Sequence, residues 1–256
     1  MPGRSFGRGA AYFVVATTMT GALLVVNMRR VLNALDMDLL AGRPVIGVTA
    51  RRRPVTVLSV DVVESMSLCS SMSDEAWWTV VEQLFTILSD GVHRFGGWIE
   101  NFAGDGLVAV FGVEGDQRVH AHRACGAALW IREATERYAA ELQRAQGVKL
   151  SVRIGINSGD AVIGALGAAP TPRVAAIGHA VGLAKRIETL AAPGRVYIGD
   201  STATLLEGAL EVYELGMFEV RGASAPMRLF ELLGQGTAME GRRRQAEYRQ
   251  QLAVAA

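Results

Sequence analysis

The chain has 256 residues, a formal net charge of +1, and hydrophobic residues at half of its positions. This length is enough for one sizeable domain with a real core and short appendages. Charges of both signs are mixed along the chain, so no global basic field indicates binding to nucleic acid. The two cysteines, Cys69 and Cys125, form neither a metal-ligand spacing nor a disulfide framework, which is typical of a reducing compartment.

Residues 1–30 contain an uncharged run over residues 9–28, with arginines on both sides of it. Twenty helical residues reach about 30 Å, which is the thickness of the hydrocarbon core of a bilayer. We therefore predict a transmembrane anchor helix here, with a buried or partner-packed helix as the alternative. Residues 31–50 are predicted to be a linker, whose short apolar stripe either pairs with its copy in a dimer or packs on the following domain.

An apolar run over residues 55–60 predicts a buried strand that ends at Asp61. Two further strands are predicted on either side of Gly104-Asp105-Gly106, a short hairpin signal that places Asp105 at its tip. If the hairpin packs beside the first strand, Asp61 and Asp105 meet at one end of a sheet. Two carboxylates and a free backbone carbonyl make a hard oxygen site for Mg²⁺ or Mn²⁺. A plain hairpin turn is the alternative, and spacing alone favours it.

The stretch between the first strand and the hairpin predicts a long amphipathic helix. Its N-cap is predicted within Ser70–Ser73, and apolar residues then recur at steps of three and four. Gly96-Gly97 is predicted to end the helix. Trp77 and Trp78 are interpreted as core or interface aromatics.

A second long helix is predicted over about residues 117–145, with His120 and His122 as surface residues, because a two-residue step points them to different faces. The Ser158-Gly159-Asp160 stretch is predicted to be a hairpin turn between two strands. The order of elements predicts an α+β domain with a ferredoxin-like β-α-β-β-α-β sheet whose helices cover one face. The later elements are predicted, in chain order, as strands over residues 150–157 and 161–166, a helix over 179–190, and strands over 196–198, 211–214 and 227–231.

Beyond these local patterns, the chain resembles a known family over about residues 51–234. The catalytic domain of the class III adenylate/guanylate cyclases is similar in the order of its motifs, which here are Asp61-x-x-x-Ser65, the glycine-rich run from Gly96 to Gly112, Arg153-Ile-Gly-Ile-Asn-Ser-Gly-Asp160, Ile177–Arg186, Pro193–Ile198 and Val220-Arg-Gly222. The joint occurrence of these motifs in one order is specific. The Gly-Gly-acidic-Glu-Phe signature of a diguanylate cyclase is absent from the sequence.

The resemblance implies a phosphorus–oxygen lyase, an adenylate cyclase that makes 3′,5′-cyclic AMP and pyrophosphate from ATP at the interface of a head-to-tail homodimer. It implies two Mg²⁺ or Mn²⁺ ions per active site. It also implies roles for individual residues: metal ligation by Asp61, Asp105 and the Val62 carbonyl, phosphate binding by the backbone of Val63, Glu64, Ser65 and Met66 and by the Arg221 side chain, and transition-state contact by Arg186 of the partner subunit.

Three sets of positions depart from the family pattern. Gly182 stands where the family has an asparagine that orients the ribose. Asn101 and Ala175 stand at the base-selecting positions, and an amide can serve adenine or guanine, so a guanylate or pyrimidine nucleotide cyclase is the first alternative. Glu64 and Ser65 replace a common glycine and phenylalanine, which places a negative charge near a phosphate site. A degenerate cyclase fold serving as a signalling or dimerisation module is the second alternative.

The substrate fixes the predicted location, since nucleoside triphosphate is cytosolic. The catalytic domain, residues 51–234, is predicted to face the cytoplasm from the inner membrane if residues 9–28 are an anchor, and to be cytoplasmic otherwise. Residues 235–256 are predicted to be a basic helical tail, with contact to anionic lipid as a further option. No nucleic-acid partner is predicted.

Overall fold

The computed structural model describes residues 50–113, 119–166 and 173–234. The predicted anchor over residues 9–28, the linker and the tail lie outside these described residues. Within them, no helix has both the length and the hydropathy needed to cross a bilayer. The elements in chain order are β1 Arg51–Val62, α1 Ser65–Ser70, α2 Asp74–Arg94, β2 Trp98–Ala103, β3 Gly106–Phe111, α3 His120–Gln146, β4 Val152–Leu166, β5 Arg173–Ile177, α4 His179–Leu190, β6 Val196–Gly199, α5 Asp200–Leu205, β7 Glu211–Phe218 and β8 Met227–Gly234.

The strands of the described residues form one mixed sheet in the order β2-β3-β1-β4-β6-β8-β7, with β5 paired to β4. Strands β1 to β4 alternate with α2 and α3 in the predicted β-α-β-β-α-β order, and their neighbours in the sheet are antiparallel. The predicted α+β fold with a ferredoxin-like unit is therefore confirmed for this part of the chain. The parallel pairing of β4 with β6 extends the sheet beyond that unit.

Helices cover both faces of the sheet, so the prediction of helices on one face is wrong. Leu58 and Val60 of β1 lie in a core cluster with residues of α2 and α3. Val55 and Val57, which alternate with them, lie in a second cluster with Ala184 of α4. Because successive strand residues point to opposite faces, a strand that is apolar at nearly every position needs cover on both sides.

A single long strand, β4, replaces the two strands and turn that were predicted around Ser158-Gly159-Asp160. In the register of β1 with β4, Thr56 lies opposite Ser158. The Ser158 hydroxyl contacts the hydroxyls of Thr56 at 2.7 Å and Thr202 at 2.9 Å inside the core. The composition is that of a turn, but pairing along the full length of β1 keeps this backbone extended, and the small polar side chains satisfy one another.

Most predicted helix bounds agree with the structure. The Ser73 side chain caps α2 by accepting a hydrogen bond from the Ala76 amide at 3.3 Å, as the N-cap prediction requires. Helix α4 has the predicted bounds. Trp77 packs against the core, whereas Trp78 is 71% exposed and contributes nothing to it.

His120 is buried, so the prediction that it lies on the surface is wrong. It opens α3 and is 4% exposed, and its Nδ1 atom lies 2.6 Å from the Thr56 hydroxyl. His122 is half-buried on the same turn. The two-residue step correctly separates the two rings, but it does not say which side of the helix faces the sheet.

The burial of His120 predicts acid-sensitive stability. Burial, and then the charge of His122, lowers the pKa of His120 below its usual 6.5. The stability that neutral His120 contributes is present above the pKa of the unfolded chain and is lost as the pH falls through the lower folded pKa. We expect the difference in Tm between wild type and His120→Gln to shrink from about pH 8 to about pH 5. A constant difference over that range would contradict this assignment.

Candidate active site

The hairpin between β2 and β3 packs directly on the end of β1. A Cβ atom at Gly106 would collide with the Val60 carbonyl oxygen and would lie 3.1 Å from Asp61 Oδ1. Only glycine allows this approach, which fixes the turn beside the strand end that carries Asp61. The structure thus brings Asp61 and Asp105, the residue before Gly106, to the same end of the sheet.

Asp105 has a buried carboxylate oxygen, Oδ2, that makes no hydrogen bond to any residue in the described part of the chain. A buried carboxylate oxygen is costly unless it gains a partner, and hard oxygen ligands suit Mg²⁺ and Mn²⁺. In the described residues, no three His, Cys, Asp or Glu side chains lie close enough together to hold a metal. A metal here would therefore be held by Asp61, Asp105 and the Val62 carbonyl, with other oxygens from the substrate. The residues present fit such an ion.

Two residues that the sequence analysis did not assign, Arg153 and Glu188, hold Asp61 in place. Arg153 lies opposite Asp61 in the register of β1 with β4, and its Nη2 donates to Asp61 Oδ2 at 2.8 Å. The Arg153 Nε atom forms an ion pair at 2.7 Å with Oε1 of Glu188, which is 2% exposed. Arg153 opens a motif of the predicted family, which was a usable signal. No sequence signal marked Glu188.

Glu188 is a buried acid with a perturbed pKa. Burial is the main cause that raises the pKa of Glu188 to about 7, and the negative charge of Asp61 adds to it, while Arg153 opposes the shift. The Ser59 hydroxyl donates to Glu188 Oε2 at 3.4 Å. Arg153 therefore lies between two carboxylates, Asp61 of β1 and Glu188 of α4, on the side of the sheet that α4 covers.

The predicted phosphate-binding backbone, Val63 to Met66, is only partly available. The Val63 amide donates to the Ser151 carbonyl at 2.9 Å, so it already has an acceptor. Ser65 and Met66 lie in the first turn of α1, where helix geometry leaves amides without intrahelical acceptors. Glu64 occupies the N-cap position of this helix, and its backbone is in the left-handed conformation, with φ 53° and ψ 35°. That conformation explains why a glycine suits this position.

Arg186 and the Arg221-Gly222 turn come together elsewhere on α4. The Arg186 Nη1 atom donates to the Gly182 carbonyl at 2.7 Å. A Cβ atom at Gly222 would lie 3.6 to 3.8 Å from Nε, Cζ and Nη2 of Arg186, so the guanidinium rests along this turn. A Cβ atom at Gly182 would lie 2.9 Å from Arg186 Nη1. Arg186 therefore lies beside the turn that carries Arg221.

The predicted base-selecting residues lie on strands that contact each other, β2 and β5. Asn101 is exposed and follows an irregularity in the pairing of β2 with β3. Ala175 is half-buried and lies opposite Gly164 of β4. Neither position carries a charged group, so any choice of base at these two residues depends on the Asn101 amide.

A known protein family matches most of the chain. The family model of the adenylate and guanylate cyclase catalytic domain matches residues 48–234. The chain is similar to adenylate cyclase 1 of Rhizobium meliloti strain 1021, with 28% identity over 197 residues, covering 73% of this chain and 29% of that protein. It thus spans less than a third of that relative.

Solved structures of cyclases are also similar to this chain. The crystal structure of the adenylyl cyclase CyaB from P. aeruginosa is similar with a TM-score of 0.70 and 25% identity, covering 74% of this chain and 98% of that one. The guanylate cyclase domain of RhGC from Catenaria anguillulae in complex with GTP is similar with a TM-score of 0.65 and 26% identity, covering 73% of this chain and 100% of that one. Similar proteins therefore include cyclases named for either purine base.

Proposed function

Because the chain belongs to the adenylate and guanylate cyclase catalytic domain family, we propose that it is an adenylate cyclase acting on ATP at the interface of a homodimer. The observation that supports this most directly is the meeting of Asp61 with Asp105, whose buried Oδ2 has no hydrogen-bond partner among the described residues. A plain hairpin turn does not need two carboxylates side by side. The pair suits a site that is completed by metal and nucleotide.

Asp61, Asp105 and the Val62 carbonyl are the groups that would hold two Mg²⁺ or Mn²⁺ ions. When bound, such ions neutralise triphosphate charge and make the ribose 3′-hydroxyl more acidic. Arg153 keeps Asp61 Oδ2 in a fixed position through its hydrogen bond. The amides of Ser65 and Met66 face the terminal phosphates in this proposal.

Arg186 and Arg221 supply the positive charge of the proposed reaction. A guanidinium fork can donate to two phosphoryl oxygens at once, which favours the state with most charge on the α-phosphoryl group. In the proposed homodimer each subunit contributes its carboxylate pair to one site and its arginine pair to the other. Gly182 offers no side chain to the ribose, so we expect slower turnover than an asparagine at this position would give.

Adenine specificity is the finer part of the proposal. The resemblance to adenylate cyclase 1 and CyaB supports it. The structure of RhGC with GTP favours guanine as the second candidate, because Asn101 can donate to either purine. A catalytically silent module for dimerisation is the third candidate, and Gly182 is the residue that favours it. Anchoring through residues 9–28, with the domain in the cytoplasm, stays a prediction.

The test is product formation by the full chain with Mn²⁺ and, in turn, ATP, GTP, CTP and UTP. We expect cyclic AMP and pyrophosphate from ATP as the main products. A cyclic product from GTP instead would move the assignment to guanylate cyclase. No product from any of the four, with the protein folded and dimeric, would replace the enzyme with the signalling module.

Glu64→Gly is expected to improve both stability and substrate binding. The left-handed backbone costs a residue with a Cβ atom about 1 kcal/mol, which glycine avoids. Removing a carboxylate from the start of α1 also favours bound phosphate, so KM for ATP should fall about two- to fivefold. Thermal unfolding and initial rates measure the two effects.

Glu64→Gln is the matched control, since it removes the charge and keeps the Cβ atom. It should lower KM without the gain in Tm. If Glu64→Gly leaves KM unchanged while Tm rises, the start of α1 does not bind phosphate. If neither variant changes KM or Tm, both the strain and the charge argument are wrong.

A further inference from the structure

His179 makes a contact that neither the fold nor the metal site explains. Its side chain is exposed at the first residue of α4, and its Nε2 atom lies 2.6 Å from the Gly222 carbonyl oxygen. A carbonyl only accepts, so Nε2 must carry the proton and donate. An exposed ring in such a short hydrogen bond adds little to the core. Its effect falls on the segment that carries Gly222.

That segment is a tight turn with one fixed end. Val220 is buried at 5% exposure, and the Ala223 amide donates to its carbonyl at 2.9 Å. Gly222 has φ +90°, a conformation that side-chain-bearing residues rarely adopt. Arg221 lies between the buried Val220 and the Gly222 carbonyl that His179 holds. The hydrogen bond from His179 therefore restricts the position of the backbone that carries the exposed Arg221.

The same turn supports Arg186. Its guanidinium lies along the Gly222 backbone, as the distances of 3.6 to 3.8 Å to a Cβ atom built there show. Within the described part of the chain, its Nη1 atom also donates to the Gly182 carbonyl of its own helix. Since Gly182 has no side chain, only its backbone can contact the Arg186 guanidinium at that position. The turn held by His179 is then a lateral support of the Arg186 guanidinium.

We propose that His179 is a positioning residue that pins the Arg221-Gly222 turn to α4 and so holds Arg186 and Arg221 as one phosphate-binding pair. This inference rests on the proposed function and deepens it. His179 does not touch the reacting atoms in this scheme. It acts through the turn.

The test compares His179→Ala with His179→Gln in the full chain. Loss of one hydrogen bond to the turn should lower kcat/KM for ATP about tenfold in His179→Ala. Gln can still donate from its amide, so His179→Gln should recover most of that loss. His93→Ala, the same substitution at an exposed histidine of α2, is the control and should match wild type.

A double-mutant comparison separates positioning from general damage. In an Arg221→Ala background, His179→Ala should cost less than tenfold, because only the support of Arg186 then remains to be lost. A purely structural role would give the same factor in both backgrounds and would overturn the proposal. So would a His179→Ala enzyme within twofold of wild type.

Binding of α,β-methylene ATP, which cannot release pyrophosphate, keeps this test distinct from that of the proposed function. If wild type makes no cyclic product but binds the analogue, the enzyme assignment fails while the role of His179 is read from binding alone. Weaker binding by His179→Ala, recovered in His179→Gln, supports the pinned pair. Equal binding by all three proteins, or no binding by wild type, refutes it.

Discussion

Replacing Asp105 with alanine is expected to abolish formation of cyclic nucleotide while leaving the fold intact. Loss of a metal-ligating carboxylate removes several kcal/mol of transition-state stabilisation, and each 1.4 kcal/mol is tenfold in rate, so turnover should fall at least about a thousandfold. Asp61→Ala should have a similar effect on rate. Initial rates with Mn²⁺ and ATP measure both.

The stability of the two variants should differ, which gives a test that does not need activity. Asp105 Oδ2 is buried without a partner in the described residues, so removing it should leave the Tm of the metal-free protein unchanged or raise it. Asp61 is bonded to Arg153, so Asp61→Ala leaves that guanidinium with Glu188 alone and should lower the Tm. Added Mn²⁺ should raise the Tm of wild type, and neither variant should respond.

Asp160→Ala is the matched control for these variants. Asp160 pairs with exposed Arg52 at 3.0 Å, and an exposed ion pair contributes at most about 1 kcal/mol. This variant should keep both its turnover and its response to Mn²⁺. Full turnover in Asp105→Ala, or an unchanged Tm response to Mn²⁺ in that variant, would contradict the metal assignment.

Local sequence signals predicted the elements whose ends are determined locally. Helix α4 has the bounds predicted from the sequence, and α2 begins after its capping serine. The turn predicted at Ser158-Gly159-Asp160 failed because its composition is local, whereas its conformation is set by pairing with β1 over the full strand. The prediction that His120 lies on the surface was wrong for a related reason, since only packing decides which face of α3 meets the sheet.

In the candidate site, too, the sequence predicted what the order of elements determines and missed what tertiary packing determines. Asp61 and Asp105 were predicted to meet from the order of the elements, and Gly106 is the residue whose missing side chain lets them do so. Arg153 and Glu188 were not assigned, because their contacts depend on the strand register and on where α4 rests, neither of which periodicity determines. The availability of the Val63 amide was likewise invisible in the sequence, since its acceptor, the Ser151 carbonyl, is remote in the chain.

Gly155→Ala is expected to be the most destabilising single-methyl change among these variants. Gly155 lies on β4 under α4, and a Cβ atom there would collide with the Glu188 amide and would lie 2.5 Å from the Ala184 carbonyl oxygen. These contacts are backbone, so no rotamer change relieves them and the helix must move. We expect a loss of about 3 kcal/mol in the free energy of unfolding, or about 6 to 12 °C in Tm.

Because α4 carries Arg186 and Glu188, the displaced helix should also cost activity beyond what the lost stability explains. Gly159→Ala on the same strand is the matched control, since its Cβ atom would lie 3.2 Å from the Ala180 Cβ atom, a tight contact that a shift of a few tenths of an ångström relieves. That change should cost less than about 1 kcal/mol and leave turnover near wild type. If Gly155→Ala is no worse than Gly159→Ala, then α4 does not rest on Gly155. The positions of Arg186 and Glu188 would then need another support.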